Sequence, residues 1–291
     1  MVHPFIEERD ERTSDVELIG RSLNGSKKAL ESLILRHQAW VYNIAFKMVM
    51  DHDDACDVTQ DILIKTMTAL ATYDAAKGAF RTWLYRITAN HIISMKKKKT
   101  ECKINDIKAY VTFVESIPDD RLSSHPEETI LEEEVKINCM LGMIMCLNRK
   151  ARLVFILGGI FGLTDVVGSD ILGISRNNFR KILSRSRKKI YSQINGLCGL
   201  VDPRNPCRCS NKISAFVAKG WADAKHPRYS NPGAPTIKDR VAEKYDTFMD
   251  LYYHPFFELY RQQPFYDSTD ISSWLRNLLE SDDFHEIFKL S

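Results

Sequence analysis

A chain of 291 residues, 44% of them apolar, can bury a real core and has room for two or three small domains, which excludes a disordered or fibrous protein. The formal charge of +3 hides an uneven distribution: from Ser210 onward 10 basic residues face 12 acidic ones, so the part before it carries the excess of positive charge. No segment approaches a membrane span and the start is no signal peptide, so the chain is expected in the cytoplasm, without a membrane partner, its seven cysteines being thiols or metal ligands rather than disulfides.

In chain order, Ser14-Asp15 offers a cap to a first helix, and Asn24-Gly25-Ser26 is a turn. The next helix spans about Lys27 to Met50, with Leu30, Leu33, Ile34, Val41, Ile44, Ala45 and Met48 on one side. Asp51-His-Asp-Asp54 breaks it and caps another from about Ala55 to Thr72, where Val58, Ile62 and Leu63 point inward and Asp57, Gln60, Asp61 and Lys65 lie opposite. A loop, Tyr73–Gly78, leads into a helix over Phe80–Met95, and Lys96–Lys99 closes this first domain. That helix sets Phe80, Trp83 and Tyr85 beside Arg81, Arg86, Asn90 and His91, a mixture suited to stacking and phosphate contacts on single-stranded bases. For Trp83, Leu84 and Ile87 a place in the core is the favoured reading of the residues themselves.

Residues 100–134 turn acidic, and Pro118 and Pro126 interrupt regular structure, which predicts a flexible linker. A helix over Leu131–Leu147 follows, then the apolar Leu153–Leu157, predicted to break at Gly158-Gly159. Thr164-Asp165 caps a short helix that Gly173 ends, and Ser175 caps the next. This last helix buries Phe179, Leu183, Ser186 and Ile190 as one stripe, and its other faces carry Arg176, Arg180, Lys181, Arg185, Arg187, Lys188 and Lys189 with no acid among them. Two short helices, a glycine turn and a basic second helix make a helix-turn-helix.

The tail opens on a turn-rich stretch holding Cys198, Cys207 and Cys209, then predicts helices over about 237–260, 271–279 and 284–290. Its aromatic content predicts that it folds, alone or onto the preceding domains. The three thiols suit zinc or copper(I), with His226 as a fourth ligand and Arg204 and Arg208 favouring thiolates; a thiol redox switch and inert cysteines are the alternatives, and no cofactor is otherwise required. Cys56, Cys139 and Cys146 sit in helical patterns as small buried or incidental residues.

Three stretches, in order, resemble the bacterial RNA polymerase sigma factors of the small, extracytoplasmic-function type. They are Asp57-Val-Thr-Gln-Asp61-Ile-Leu-Ile-Lys65, Tyr73-Asp74 through Asn90, and Gly162-Leu-Thr through Ile190. The resemblance implies an all-α chain of two small helical domains joined by an acidic linker, plus a mostly helical C-terminal extension. Its divisions are 14–99 (region 2), 100–130 (linker), 131–195 (region 4) and 196–291 (extension). It implies a transcription initiation factor, not an enzyme, whose partners are core RNA polymerase, promoter DNA and an anti-sigma factor. Asp57, Gln60, Asp61 and Lys65 would bind the polymerase; Asp74, Lys77, Arg81, Trp83, Arg86 and Asn90 would engage the −10 element. Arg176, Asn177, Asn178, Arg180 and Lys181 would read the −35 groove, and Arg185, Arg187 and Lys188 would grip phosphates. The acidic linker would imitate a nucleic-acid backbone in the RNA path, or else act as a passive acidic tether. Gly168, where the family has an aliphatic residue, and Ile182, where it has a polar one, depart from the pattern. A free-standing helix-turn-helix regulator is the alternative, distinguished by having no use for the Asp57–Lys65 surface.

Overall fold

The computed structural model describes residues 14–98, 100–101, 106–119, 127–230, 233, 258–282 and 284. Among the described residues every extended element is helical and there is no strand, in agreement with the all-α expectation. They group into two compact units, one drawing on the ranges 2–96, 169–175 and 266–291 and the other on 97–168 and 176–265.

In the first unit, local capping sets the helix starts. Ser14 Oγ accepts from Glu17 N (3.2 Å) to open α1 (Asp15–Leu23), and Ser26 Oγ accepts from Ala29 N (3.4 Å) to open α2 (Lys27–Val49). Met50, with φ of 58°, ends α2, and Asp51 Oδ1 accepts from Asp54 N (3.0 Å) to open α3 (His52–Ala69). After two short 3₁₀ turns comes α4 (Phe80–Ser94). Leu33, Ile34, Val41, Ile44, Val58, Ile62, Leu63, Leu84 and Ile92 fill the space between these helices. Each contributes roughly 1.5–3 kcal/mol on burial. Asp15 fastens α1 to α2 through Arg36 Nη1 (2.7 Å) and His37 Nε2 (3.1 Å). Burial works to raise the Asp15 pKa, but these partners hold it at about 2.

The expected single stripe of α2 is incomplete, because α2 is buried nearly all round, Asn43, Phe46 and Lys47 included. Its far side is covered by the last part of the chain, Tyr266 and α11 (Thr269–Glu280). Asn43 Nδ2 donates to Tyr266 O (2.7 Å) and its Oδ1 accepts from Tyr266 N (3.1 Å), which satisfies a buried amide at both ends. Phe46 and Tyr266 meet edge to face with centroids 5.1 Å apart, and Gln38 Nε2 donates to Ser272 Oγ (3.3 Å). The tail helix expected near 271–279 is therefore present, and it packs onto the first domain's helices.

The second unit contains α5 (Ile107–Ser116), α6 (Glu128–Met145) and α7 (Arg149–Val154), which runs on as a π-helical turn, Phe155–Ile160. The short α8 (Asp165–Leu172) straddles the two groups of residues, and α9 (Arg176–Ile194) and α10 (Ile213–Ala218) complete the second. Helix α5 lies inside the stretch expected to be a flexible linker: Asp106 Oδ1 caps it at Ala109 N (2.8 Å), and Ile107 and Val114 are buried. The break expected at Gly158-Gly159 does not occur. A β-carbon on Gly158 would sit 2.9 Å from Leu183 and 3.0 Å from the Phe179 ring, so this glycine serves close approach of α9. Gly168 has the same cause: its β-carbon would lie 2.4 Å from Phe179, whose ring occupies the space of the missing aliphatic side chain.

The tail also packs within this unit. Ile213, Phe216 and Ala222 join Ile117, Leu131 and Val135 in one apolar cluster, with Trp221 against it. Tyr260 stacks edge to face on Phe155 (5.4 Å) and donates to Met140 O (3.1 Å). Glu134, one of the acids expected on the linker side of α6, is fully buried, and its carboxylate accepts from Arg228 N (2.8 Å), Tyr229 N (2.7 Å) and Ser230 N. Asp119 likewise pairs with the buried Lys212 (2.9 Å). Part of the acidic run is thus committed to holding the tail. Glu134→Ala is expected to strand two buried donors, Tyr229 N and Ser230 N, besides the part-buried Arg228 N, and to destabilise this unit by about 2–3 kcal/mol. Amide hydrogen exchange should accelerate first at Arg228–Ser230; unchanged protection there would contradict the assignment. The helices expected over 237–260 and 284–290 lie almost wholly outside the described residues, as do residues 1–13 and Lys99.

Candidate nucleic-acid interface

Helix α9 presents Arg176, Asn177, Asn178, Arg180, Lys181, Arg185 and Lys188 as exposed residues. The helical period produces this, since Phe179, Leu183, Ser186, Ile190 and Ile194 take the inner side. Arg187 corrects the expectation of a phosphate contact: it is only 5% exposed and lies on the inner side, four residues after Leu183. Arg180 Nε is held by Asp165 Oδ2 at 3.1 Å, which fixes the guanidinium near the start of α9. Beside α9 is a cleft of about 280 Å³ lined by Asn148, Lys150, Arg185 and Lys189 among others, with Ile182 as part of its apolar floor. Ile182 is half-buried and lines this cleft, whose three cations suit a backbone phosphate.

On α3, Asp57, Asp61 and Lys65 are exposed and Gln60 is half-buried, all on the side away from Val58, Ile62 and Leu63. Lys65 Nζ lies 2.6 Å from His91 Nδ1, and His91 Nε2 lies 3.7 Å from Asp61 Oδ2. Sequence reasoning grouped His91 with the nucleic-acid side chains of α4; at 8% exposure it instead braces the charged face of α3.

The aromatic set of α4 divides. Tyr85 and Phe80 are 1% and 2% exposed, so they are core and offer no stacking face. Trp83, suited to either role by sequence, is half-buried beside Tyr73, with centroids 5.7 Å apart. The preceding loop is internally tied: Tyr73 Oη donates to Gly78 O (3.0 Å), and Asp74 accepts from Ala76 N (3.0 Å) and pairs with Lys77 (3.3 Å). The backbone hydrogen bond from Ala76, with help from Lys77, holds the Asp74 carboxyl below its usual pKa. Arg86 and Asn90 are exposed, Arg81 is half-buried, and Arg86 Nη2 donates to Asp170 Oδ1 (2.8 Å). A short ordered loop, an aromatic rim and neighbouring cations are thus gathered at one end of α4.

In the cysteine turn, Gly199 N donates to Cys207 O and Cys207 N to Leu197 O, both at 3.0 Å, which puts Cys198 and Cys207 side by side. Cys209 packs against the apolar cluster around Phe216. Arg204 is turned to Asp202 (2.7 Å), and Arg208 to the carbonyls of Pro203, Asn205 and Cys207, from where its charge works to lower the Cys207 pKa without outweighing burial. Burial pushes the Cys207 thiol up, and Cys209 up to about 12. His226, the expected fourth ligand, is exposed and paired with Asp223 (3.3 Å). Among the described residues, the three sulfurs do not form a close ligand set; the group whose ligand atoms all lie within 4.8 Å of one another is His52, Cys56 and Asp270. Cys56 thus lies beside His52 and Asp270. Its signal in the sequence was the four-residue step from His52, which places both on one helix face.

Comparison with known proteins adds to this geometry. The family model for Sigma-70 region 2 matches residues 33–101, which includes most of α2, all of α3 and all of α4. The RNA polymerase sigma-H factor of Pseudomonas aeruginosa is 29% identical over 126 residues, covering 42% of this chain and 64% of that relative. The ECF RNA polymerase sigma-E factor of Escherichia coli K12 is 27% identical over 191 residues, covering 64% of this chain and 97% of the relative. The same protein of Salmonella typhimurium LT2 matches with the same identity and coverage. A solved structure of CnrH in complex with the cytosolic domain of CnrY aligns over 62% of this chain and 97% of that one, at 19% identity and a TM-score of 0.44. Among the described residues no helix is long and apolar enough to cross a membrane.

Proposed function

From the premise that the chain belongs to the RNA polymerase sigma factors of the extracytoplasmic-function type, we propose that it binds core polymerase through α3 and directs it to promoters through α4 and α9. The observation that carries this reading is the coexistence of a region 2 match over 33–101 with a separate helix, α9, whose exposed side holds cations and amides and no acid. Asp57, Gln60, Asp61 and Lys65 form the polymerase contact, the last two braced by His91. The loop Asp74–Gly78 with Trp83, Arg86 and Asn90 receives an unstacked −10 base, and Tyr73 keeps the loop in shape. Arg176, Asn177, Asn178, Arg180 and Lys181 read base edges; Arg185 and Lys188 hold phosphates. The chain acts in the cytoplasm and catalyses no reaction of its own.

The extension has a regulatory part in this reading, in place of or beside a separate anti-sigma factor, because its helix α11 packs on α3, the helix assigned to polymerase binding. In this reading Cys198, Cys207 and Cys209 would be the ligands of zinc or copper(I); metal analysis of a Cys207→Ser, Cys209→Ser double variant against the parent tests this.

The division of labour on α9 has its own signature. Arg176→Ala should weaken binding of cognate promoter DNA by about 10- to 100-fold and relax sequence preference at one position. Lys188→Ala should weaken all sequences alike and lower the slope of log affinity against log salt by about 1. Equal effects of both substitutions on cognate and random duplex would contradict the assignment of α9 as the reader.

A further inference from the structure

The close ligand set at the start of α3 is used by none of the roles above. His52 Nε2 lies 3.2 Å from Asp270 Oδ2 and 3.7 Å from Cys56 Sγ, and all three ligand atoms fall within 4.8 Å of one another. Zinc bound at 2.0–2.3 Å to nitrogen, oxygen and sulfur in a tetrahedron has ligand–ligand edges of roughly 3.3–3.8 Å, so this spacing is close to a coordination edge. The donors also have a supporting layer. Tyr42 Oη is 2.7 Å from His52 Nδ1, which fixes the ring with Nε2 turned toward the sulfur and carboxylate. An outer hydrogen bond of this kind commonly sets the tautomer of a metal-binding histidine. Asp51 caps α3, Asp53 and Asp57 lie on its first two turns, and their charge favours a dication. One imidazole, one thiol and one carboxylate select a borderline transition metal over magnesium or calcium.

We propose that His52, Cys56 and Asp270 form a binding site for a zinc-class divalent ion, with the fourth position open to water. His52 and Cys56 belong to α3, and Asp270 lies in the first turn of α11. The ion staples the end of the C-terminal extension to the start of α3. Binding releases the Cys56 thiol proton to solvent and leaves a thiolate on the metal. If α3 is the polymerase contact, as the proposed function has it, the staple sets how firmly the tail sits beside Asp57. The binding site itself does not depend on that reading.

The test uses full-length chain purified under reducing conditions, in a Cys198→Ser, Cys207→Ser, Cys209→Ser background that removes the other thiol cluster. Zinc titration against a chromophoric chelator should show one equivalent. Cys56→Ser should abolish it, and Asp270→Asn, a change at an exposed side chain that leaves folding intact, should weaken it at least 10-fold. Tyr42→Phe should weaken zinc about 10- to 100-fold while keeping all three ligands. Cobalt in place of zinc should give a thiolate charge-transfer band that Cys56→Ser removes. Hydrogen exchange across Ile271–Leu279 should slow when zinc is added. Zinc stoichiometry and affinity unchanged by both Cys56→Ser and Asp270→Asn, or exchange in α11 indifferent to zinc, would overturn the site, whatever the outcome of transcription assays.

Discussion

Glu101→Ala is expected to cost the second unit about 3–5 kcal/mol, because it leaves a buried arginine without its counter-charge. Glu101 receives Arg149 in a two-pronged contact, Nε to Oε1 at 2.9 Å and Nη2 to Oε2 at 2.7 Å, and Arg152 Nη1 reaches Oε1 at 3.1 Å. Arg152 is only 3% exposed and spends its other amine on the carbonyls of Met145 (2.9 Å) and Leu147 (3.0 Å). The network ties the stretch after the lysine run to the turn between α6 and α7, on which α9 packs. Burial works to raise the Glu101 pKa, but hydrogen bonds from Arg149 and Lys98 N and the charge of Arg152 leave it below the ordinary value. A carboxylate with a depressed folded-state pKa stabilises fully above its unfolded pKa, and the stabilisation is lost as pH falls through the folded value. Chemical denaturation should therefore show a large loss for Glu101→Ala at neutral pH that shrinks in acid. A loss below 1 kcal/mol would mean that the arginines find other partners.

Lys47→Met should do the reverse and stabilise the first unit by about 2–4 kcal/mol at pH 7, on the scale of 1.4 kcal/mol per pKa unit. Lys47 is 1% exposed on α2, and burial brings its pKa from 10.5 down to about 7. Its ammonium lies over the Tyr266 ring at 5.7 Å, a partial compensation for lost water. Between pH 7 and 10.5 the unfolded chain holds a proton on this lysine that the folded chain does not. Stability from this group must therefore rise with pH across that window and be lowest below it. Lys47→Met removes the slope. Unfolding free energies of both proteins at pH 6, 7 and 9 check it, and curves that stay parallel would show that Lys47 is solvated. Because Tyr266 covers the ammonium, the same slope reports whether the tail is docked.

The helix starts were legible because their causes are local: Ser14, Ser26 and Asp51 each sit where a side-chain oxygen meets free N–H groups. The inner stripe of α9 was legible for the same reason, apart from Arg187, whose charge concealed its place in the helical period. What the sequence hid depends on partners far along the chain. Asn43 and Lys47 look like surface residues until Tyr266, more than two hundred positions later, is seen to cover them. Gly158 and Gly168 favour a break by local propensity, whereas the structure uses both for the close approach of Phe179. Glu134 belongs to an acidic run by composition but to the tail by contact. Of the candidate interface, residue types and spacing on α3 and α9 could be read directly. The bracing of α3 by His91, the burial of Tyr85 and the joining of His52 and Cys56 to Asp270 could not, because each needs two elements brought together.

Recruitment of core polymerase to promoters is the proposed role of this chain. Run-off transcription with purified core RNA polymerase, the full-length chain and a library of promoter fragments tests it most directly. Promoter-dependent transcripts are expected, abolished by Asp57→Ala with Asp61→Ala through loss of core binding and reduced by Arg176→Ala through loss of promoter choice. No core binding and no opened promoter at any salt concentration would contradict that role.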